Sequence, residues 1–324
     1  MIGAIIGDVV GSRFEWDNLK SKDFDLFTRE CHVTDDSVMS LAVAKAILDS
    51  EGDYTDLSAK AVEEMQQLGR MYIHAGYGGR FIKWLLTMNP KPYNSFGNGS
   101  AMRVSACGYA AKNIEEAKEL AAKVTEVTHN HPEGMKGAEA VATAIFLART
   151  GKSMDEIREY ITENYYIIDF TLDEIRDEYK FDVSCQGSVP VAFEAFFESK
   201  DFEDAIRNAI SVGGDSDTIG AITGSIAEAY YGVPEAIIEN VIEYLDGTQM
   251  KILYYFEEKF PSKAIEEDED VIVFDVLDTC VDKIIPQGTP IRVREELGNN
   301  VVKANVDPSY LVPDFASFDK HRKR

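Results

Sequence analysis

The chain has 324 residues, 45% of them apolar, and a formal charge of −24, which is enough apolar content for one large buried core or two smaller ones. The charge argues against a nucleic-acid partner, because a phosphate backbone is bound mainly through Lys and Arg. Four cysteines, Cys31, Cys107, Cys185 and Cys280, form no CxxC pair; neither a zinc site nor a disulfide framework is indicated, and reduced thiols in a cytoplasm are expected.

The first stretch, MIGAIIGDVVGS, is apolar but too short to span a bilayer, carries Asp8 and lacks a basic leader, so no membrane segment or signal peptide is expected. Gly3, Gly7 and Gly11 recur every four residues, which places them on one face of a helix and lets a second helix approach closely. The chain then leaves this helix through Ser12–Trp16 into a polar loop. By local sequence alone Glu15 reads there as a solvated acid beside the core.

Apolar periodicity predicts helices over about 34–50, 56–69, 78–88, 98–111, 113–127 and 133–150, with Asn113 and Glu116 as a cap and Pro132 in a first turn. Further helices are predicted over about 153–163, 171–178, 188–199, 201–211, 217–231, 234–246 and 248–259. Strand-like alternation is nearly absent before residue 265, so the first 264 residues are expected to form one all-α domain, a compact orthogonal bundle of many helices. The character changes at Glu266–Asp270. Beyond it, VIVFDVLD, TPIRVRE and NNVVKANV are rich in β-branched residues, which predicts a small strand-containing appendage within 265–324 and a solvated basic end at Lys320–Arg324.

Two acidic clusters stand at the heads of predicted helices. Ser211–Thr218, SVGGDSDT, places Asp215, Asp217 and Thr218 behind Gly213 and Gly214, and Thr34, Asp35, Asp36 and Ser37 open an earlier helix. One acid at each head would serve as an ordinary cap favoured by the helix dipole. Two acids and a threonine at both heads look more like oxygen ligands for hard cations: carboxylates brought together repel one another unless positive charge compensates, and all-oxygen ligands favour Mg2+ or Mn2+ over Zn2+.

Between the clusters, the glycines of SFGNGS (95–100) suit a loop whose backbone amides approach a phosphate. Phe96 in that loop is either a stacking surface for a nucleobase or a core residue. His129 and His131 alternate in THNHPEG, and either point into one cleft or close a turn.

In this order, IIGDVVGSRFE, TDDS, SFGNGSAMRV, THNHPEG, VSCQGSVP and GGDSDT resemble the ADP-ribosylglycohydrolase family, over roughly residues 1–245. That family includes the dinitrogenase-reductase-activating glycohydrolases and the vertebrate ADP-ribosyl-acceptor hydrolases. The resemblance implies an all-α fold with two divalent cations, Mg2+ or Mn2+, at the base of an ADP-ribose cleft. It implies Thr34, Asp35, Asp36, Asp215, Asp217 and Thr218 as metal ligands, and Glu15 as a site glutamate. Ser95, Phe96, Asn98, Gly99 and Ser100 fall on the loop for the diphosphate and distal ribose, with His129, His131, Gly213 and Gly214 completing the ligand cleft.

The reaction expected from the resemblance is hydrolysis of the bond between ADP-ribose and an acceptor, with ADP-ribosyl-arginine first and serine, O-acetyl and nucleobase linkages as alternatives. Glu15, Asp35 or Asp36 would take the proton of the attacking water. The partner is then an ADP-ribosylated protein or a small ADP-ribose conjugate. Two other classes are weighed: a catalytically silent ADP-ribose binder, which should lack some of the six ligand positions, and a metal-dependent phosphohydrolase, which would release AMP. The resemblance does not extend to residues 265–324.

Overall fold

Helix starts follow the capping residues closely in the computed structural model, which describes residues 1–265 and 273–275. Fourteen α-helices run through the described residues. The first six are α1 (Ile2–Gly11), α2 (Asp35–Asp49), α3 (Leu57–Met71), α4 (Gly79–Leu86), α5 (Ser105–Ala110) and α6 (Ile114–Thr125). There follow α7 (Pro132–Arg149), α8 (Met154–Asn164), α9 (Leu172–Ile175), α10 (Cys185–Phe197), α11 (Phe202–Ser211), α12 (Ser216–Tyr231), α13 (Glu235–Val241) and α14 (Gly247–Lys259). The Asn113 side chain accepts from the Glu116 amide at 2.9 Å, and Pro132 occupies the first turn of α7, both as the sequence predicts.

Three short strands, β1 (Val233–Pro234), β2 (Lys263–Ile265) and β3 (Val273–Asp275), form one small sheet in that order, β1 parallel to β2 and β2 antiparallel to β3. The rest of the appendage expected over 265–324, with its basic end, lies outside the described residues. No helix among the described residues is long and apolar enough to cross a membrane.

Four predicted helices come out differently: 171–178 shortens to Leu172–Ile175, 234–246 ends as α13 with a 3-10 turn at Ile242–Tyr244, and two more change near the site. The stretch 98–111 divides into a 3-10 turn at Asn98–Ser100 and the short α5, because Asn98 is drawn away: its amide donates to the Val183 carbonyl at 2.8 Å and its side chain to Asp215. The helix predicted over 188–199 begins three residues earlier, where the Ser184 hydroxyl accepts from the Gly187 amide at 3.1 Å.

The centre of the fold is the contact between α1 and α12. All ten residues of α1 are buried, as is most of α12, which also packs against α7, α10 and α11. The two helices meet backbone to backbone. A Cβ on Gly3 or Gly7 would overlap the carbonyls of Gly224 or Gly220, and one on Gly11 would stand 2.5 Å from the Asp217 Cα. The glycine face of α1 therefore sets the depth of α12. Next to that face α1 carries Asp8, which holds α2.

Candidate metal centre and ligand cleft

Asp8 is the hub of the site. It is fully buried and accepts from the Thr34 amide at 3.0 Å, the Thr34 hydroxyl at 2.5 Å, the Ser37 amide at 3.0 Å and the Ser37 hydroxyl. One carboxylate in the first helix thus satisfies the free amides at the head of α2 and fixes where Asp35 and Asp36 emerge. Sequence reading passes over Asp8. Its signal is a single charge inside an otherwise apolar helix, a placement that is costly unless the charge is used.

The two heads converge on this hub. Asp36 Oδ2 accepts from the Thr218 hydroxyl at 3.3 Å and the Thr34 hydroxyl at 3.4 Å, while its Oδ1 is buried with no hydrogen-bond partner among the described residues. Single carboxylate oxygens of Asp8, Asp36 and Asp217 lie within 4.8 Å of one another, and so do those of Glu15, Asp215 and Asp217. Asp217 is common to both groups. Asp35 is half-buried beside them, its amide donating to the Ala75 carbonyl at 2.7 Å.

Glu15 owes its place to Asn18. The Asn18 side chain donates to the carbonyls of Phe14, Glu15 and Gly214 at 2.7, 3.0 and 2.9 Å, and accepts from the Gly214 amide at 2.7 Å. The loop carrying Glu15 is so tied to the turn ahead of Asp215. Gly213 and Gly214 form that turn at φ values of 65° and 78°, where side-chain-bearing residues are strained. Trp16, 80% exposed, stacks on Phe181 at 5.1 Å between ring centres.

These acids hold their protons far more tightly than usual. Burial is the main cause for each, and repulsion from neighbouring acids adds to it at Glu15, Asp35, Asp36 and Asp217. Asp35 is pushed up to about 8 by burial and the charges of Asp8, Asp215 and Glu15. Glu15 reaches about 7 through burial and the charges of Asp215 and Asp8, opposed by the Trp16 indole N–H and by His32. Asp36 and Asp217 are raised well above the carboxylate range, and Asp8 and Asp215 are raised as well. Such a cluster needs either protons or cations. Oxygen donors only, a buried unpartnered Asp36 oxygen and two overlapping groups of three carboxylates fit hard divalent cations.

Above the acids lies the glycine-rich loop. Asn98 donates to Asp215 Oδ2 at 2.7 Å and so joins the loop to the acid cluster. The Ser95 hydroxyl accepts from the Gly97 amide, and Ser100 faces inward, its hydroxyl donating to the Gly97 carbonyl and lying 3.1 Å from the Cys185 sulfur. Burial pushes the Cys185 thiol up to about 12, so it is inert beneath the loop. His129 is buried with its ring edge toward Gly97 and Gly99. His131 caps α7 through Nδ1, which accepts from the Glu133 amide at 3.1 Å, and packs edge-on against Phe96, itself 47% exposed. The structure thus brings Glu15 and both acidic heads together, joins the glycine-rich loop to them through Asn98, and turns His129 toward that loop. It commits the Gly214 backbone to Asn18 and the His131 ring to a cap.

Comparison with known proteins agrees with this architecture. The family model for ADP-ribosylglycohydrolase matches residues 1–263. ADP-ribosylhydrolase ARH3 of Homo sapiens is 27% identical over 73% of this chain and 86% of its own length. The ADP-ribosyl-[dinitrogen reductase] glycohydrolase of Rhodospirillum rubrum is 25% identical over 63% of this chain and 70% of its own length. A solved structure described as an ADP-ribosylglycohydrolase-related protein complex superposes with a TM-score of 0.54 at 23% identity, covering 79% of this chain and 91% of that one, and shows the shared all-α fold. With the match running through every helix that carries an acid of the cluster, the chain belongs to the ADP-ribosylglycohydrolase family.

Proposed function

We propose that the protein hydrolyses the glycosidic bond between ADP-ribose and an acceptor, releasing ADP-ribose and the unmodified acceptor, with two Mg2+ or Mn2+ ions in the acidic cluster. The observation that carries this reading is the convergence of Asp8, Glu15, Asp36, Asp215 and Asp217 directly below a glycine-rich loop joined to them by Asn98. Asp8, Asp36 and Asp217 would hold one cation and Glu15, Asp215 and Asp217 the other, with Thr34, Asp35 and Thr218 supplying further oxygens. When bound, the cations supply positive charge for the ribose hydroxyls and make water a stronger acid.

The chain's own residues do the rest. Cleavage builds positive character at the anomeric carbon, which an acidic surrounding stabilises. Glu15 and Asp35 are half-buried rather than sealed, so they are the carboxylates a water at the ligand can reach; one of them takes its proton. Asp36 is enclosed by the Thr34 and Thr218 hydroxyls and holds position. The glycine-rich loop and His129 receive the diphosphate side.

For the acceptor, the acidic mouth favours a cation. The open indole of Trp16, next to Glu15, offers a face on which a guanidinium stacks. ADP-ribosyl-arginine is accordingly the first substrate to test. Release of ADP-ribose should be measured from arginine-, serine- and acetyl-linked conjugates with Mg2+ or Mn2+. The arginine conjugate is expected to turn over fastest, and the double variant Asp215→Ala, Asp217→Ala to lose cation binding and turnover together. Retained turnover by that variant in chelator would sink the assignment, and AMP as product would make the protein a phosphohydrolase.

A further inference from the structure

Arg103, Thr128 and His129 form a buried file beneath the glycine-rich loop, and the hydrolytic reading gives its first two members no task. Arg103 is 1% exposed. Its Nη2 donates to the Thr128 hydroxyl at 2.6 Å and to the Val124 carbonyl at 3.1 Å, and its Nε has no hydrogen-bond partner among the described residues. The groups acting on its charge are Tyr93, Cys107 and Cys185, none of them a carboxylate. A buried guanidinium without a carboxylate is costly for a fold to keep.

What it does can be read from the protons. The fully buried Thr128 oxygen accepts from Arg103, so its own proton remains to be donated. His129 Nδ1 stands 2.7 Å from that oxygen, whereas the competing Thr125 carbonyl is 3.5 Å away. That difference favours Nδ1 as the acceptor, and with it a ring proton on Nε2. Burial first, then the charges of Arg103 and Arg80, push the His129 pKa well below its usual value, so the ring stays neutral. Nε2 looks onto the loop: a Cβ on Gly99 would lie 3.4 Å from it and one on Gly97 3.6 Å. The two glycines leave the space in front of this nitrogen open.

We infer that Arg103 and Thr128 are positioning residues that lock His129 in the Nε2–H tautomer, so that it presents a fixed, neutral hydrogen-bond donor to an anionic oxygen held over Gly97 and Gly99. The ligand half of this inference rests on the ADP-ribose reading above, while the tautomer half does not. Arg103 contributes twice, by occupying one of the two Thr128 lone pairs and by placing a positive charge behind the donor.

Nitrogen-15 NMR of the histidine-labelled full chain tests it in the ligand-free, Mn2+-free protein. The sequence holds five histidines, and loss of one signal in His129→Gln assigns the ring. The wild type is expected to show protonated Nε2 and unprotonated Nδ1. Thr128→Val should shift the tautomer population and weaken ADP-ribose binding, measured calorimetrically with Mg2+ present, about tenfold, or about 1.4 kcal/mol. Thr128→Ser should restore both, and Mg2+ affinity should not change in either variant. Should Thr128→Val not fold, Thr128→Ala serves as the second truncation. A protonated Nδ1 or an imidazolium in the wild type would overturn the inference, as would a truncation that leaves the tautomer, or the ADP-ribose affinity, as in the wild type. A lock behaving as expected in a protein with no affinity for ADP-ribose would overturn the ligand half and the functional reading with it, leaving the tautomer half standing.

Discussion

Asp8 takes four hydrogen bonds from the head of α2 while lying among other carboxylates. That double engagement makes it a cap and, on the proposed function, a cation ligand as well, and the two roles separate experimentally. In Asp8→Asn one arm of the amide becomes a donor and faces the donors of Thr34 or Ser37, and the negative charge is gone. Mn2+ affinity is expected to fall about 10- to 100-fold, as read by calorimetric titration; unchanged affinity would leave Asp8 as a cap alone. The acids at the two helix heads are legible in the sequence because each is doubled and each follows a helix-start signal. Asp8 is not, because neither periodicity nor spacing tells a buried functional acid from a misplaced one until the partners at Thr34 and Ser37 are seen. His129 and His131 show the same limit from the other side. They are alike in sequence, yet one faces the loop glycines and the other caps a helix.

At the level of elements, the α1–α12 contact decides whether the acids meet at all. Gly7 faces Gly220, and a methyl group on either would press into the other's backbone. Gly7→Ala therefore has to push the two helices apart, an overpacking cost of about 1–3 kcal/mol. It should also move Asp8 relative to Asp217 and weaken Mn2+ binding, although neither acid is touched. Thermal melts and cation titration check this together. Full stability with full affinity would mean that the helices have more freedom than the packing allows. The four-residue glycine spacing announces this contact plainly, since only a close helix partner uses such a face. The break in 98–111 is not announced. Its residues are compatible with a helix, and what prevents one is a pull from Val183 and Asp215, more than eighty positions further along the chain.

For the molecule as a whole, the buried acids couple stability to pH and to cations. Each holds its proton more tightly folded than unfolded, where carboxyl groups titrate near about 4. The folded protein without cations therefore binds more protons than the unfolded chain between that value and about 8 for Asp35, and its stability falls as pH rises through the window. Divalent cations favour the ionised form and oppose this loss; at a hundred times the dissociation constant they add about 2.7 kcal/mol. Melting temperatures in chelator should decline from about pH 5 to 8, and the gap between Mn2+-loaded and chelated protein should widen over the same range. A gap that narrows with pH would contradict the cluster's assignment. The all-α architecture itself is readable from periodicity and caps, whereas the meeting of Asp36 with Asp217 depends on packing that no local pattern encodes.

The embrace of α1 by α12 also has a consequence for biosynthesis. Helix α1 is apolar except for Asp8, all ten of its residues are buried in the folded chain, and its partner begins only at Ser216. At translation rates of about 5–20 residues per second, the interval between them lasts roughly 10–40 seconds. Throughout that interval the nascent α1 lacks the helix that its glycine face fits, and α2, tied to it through Asp8, is the earlier partner.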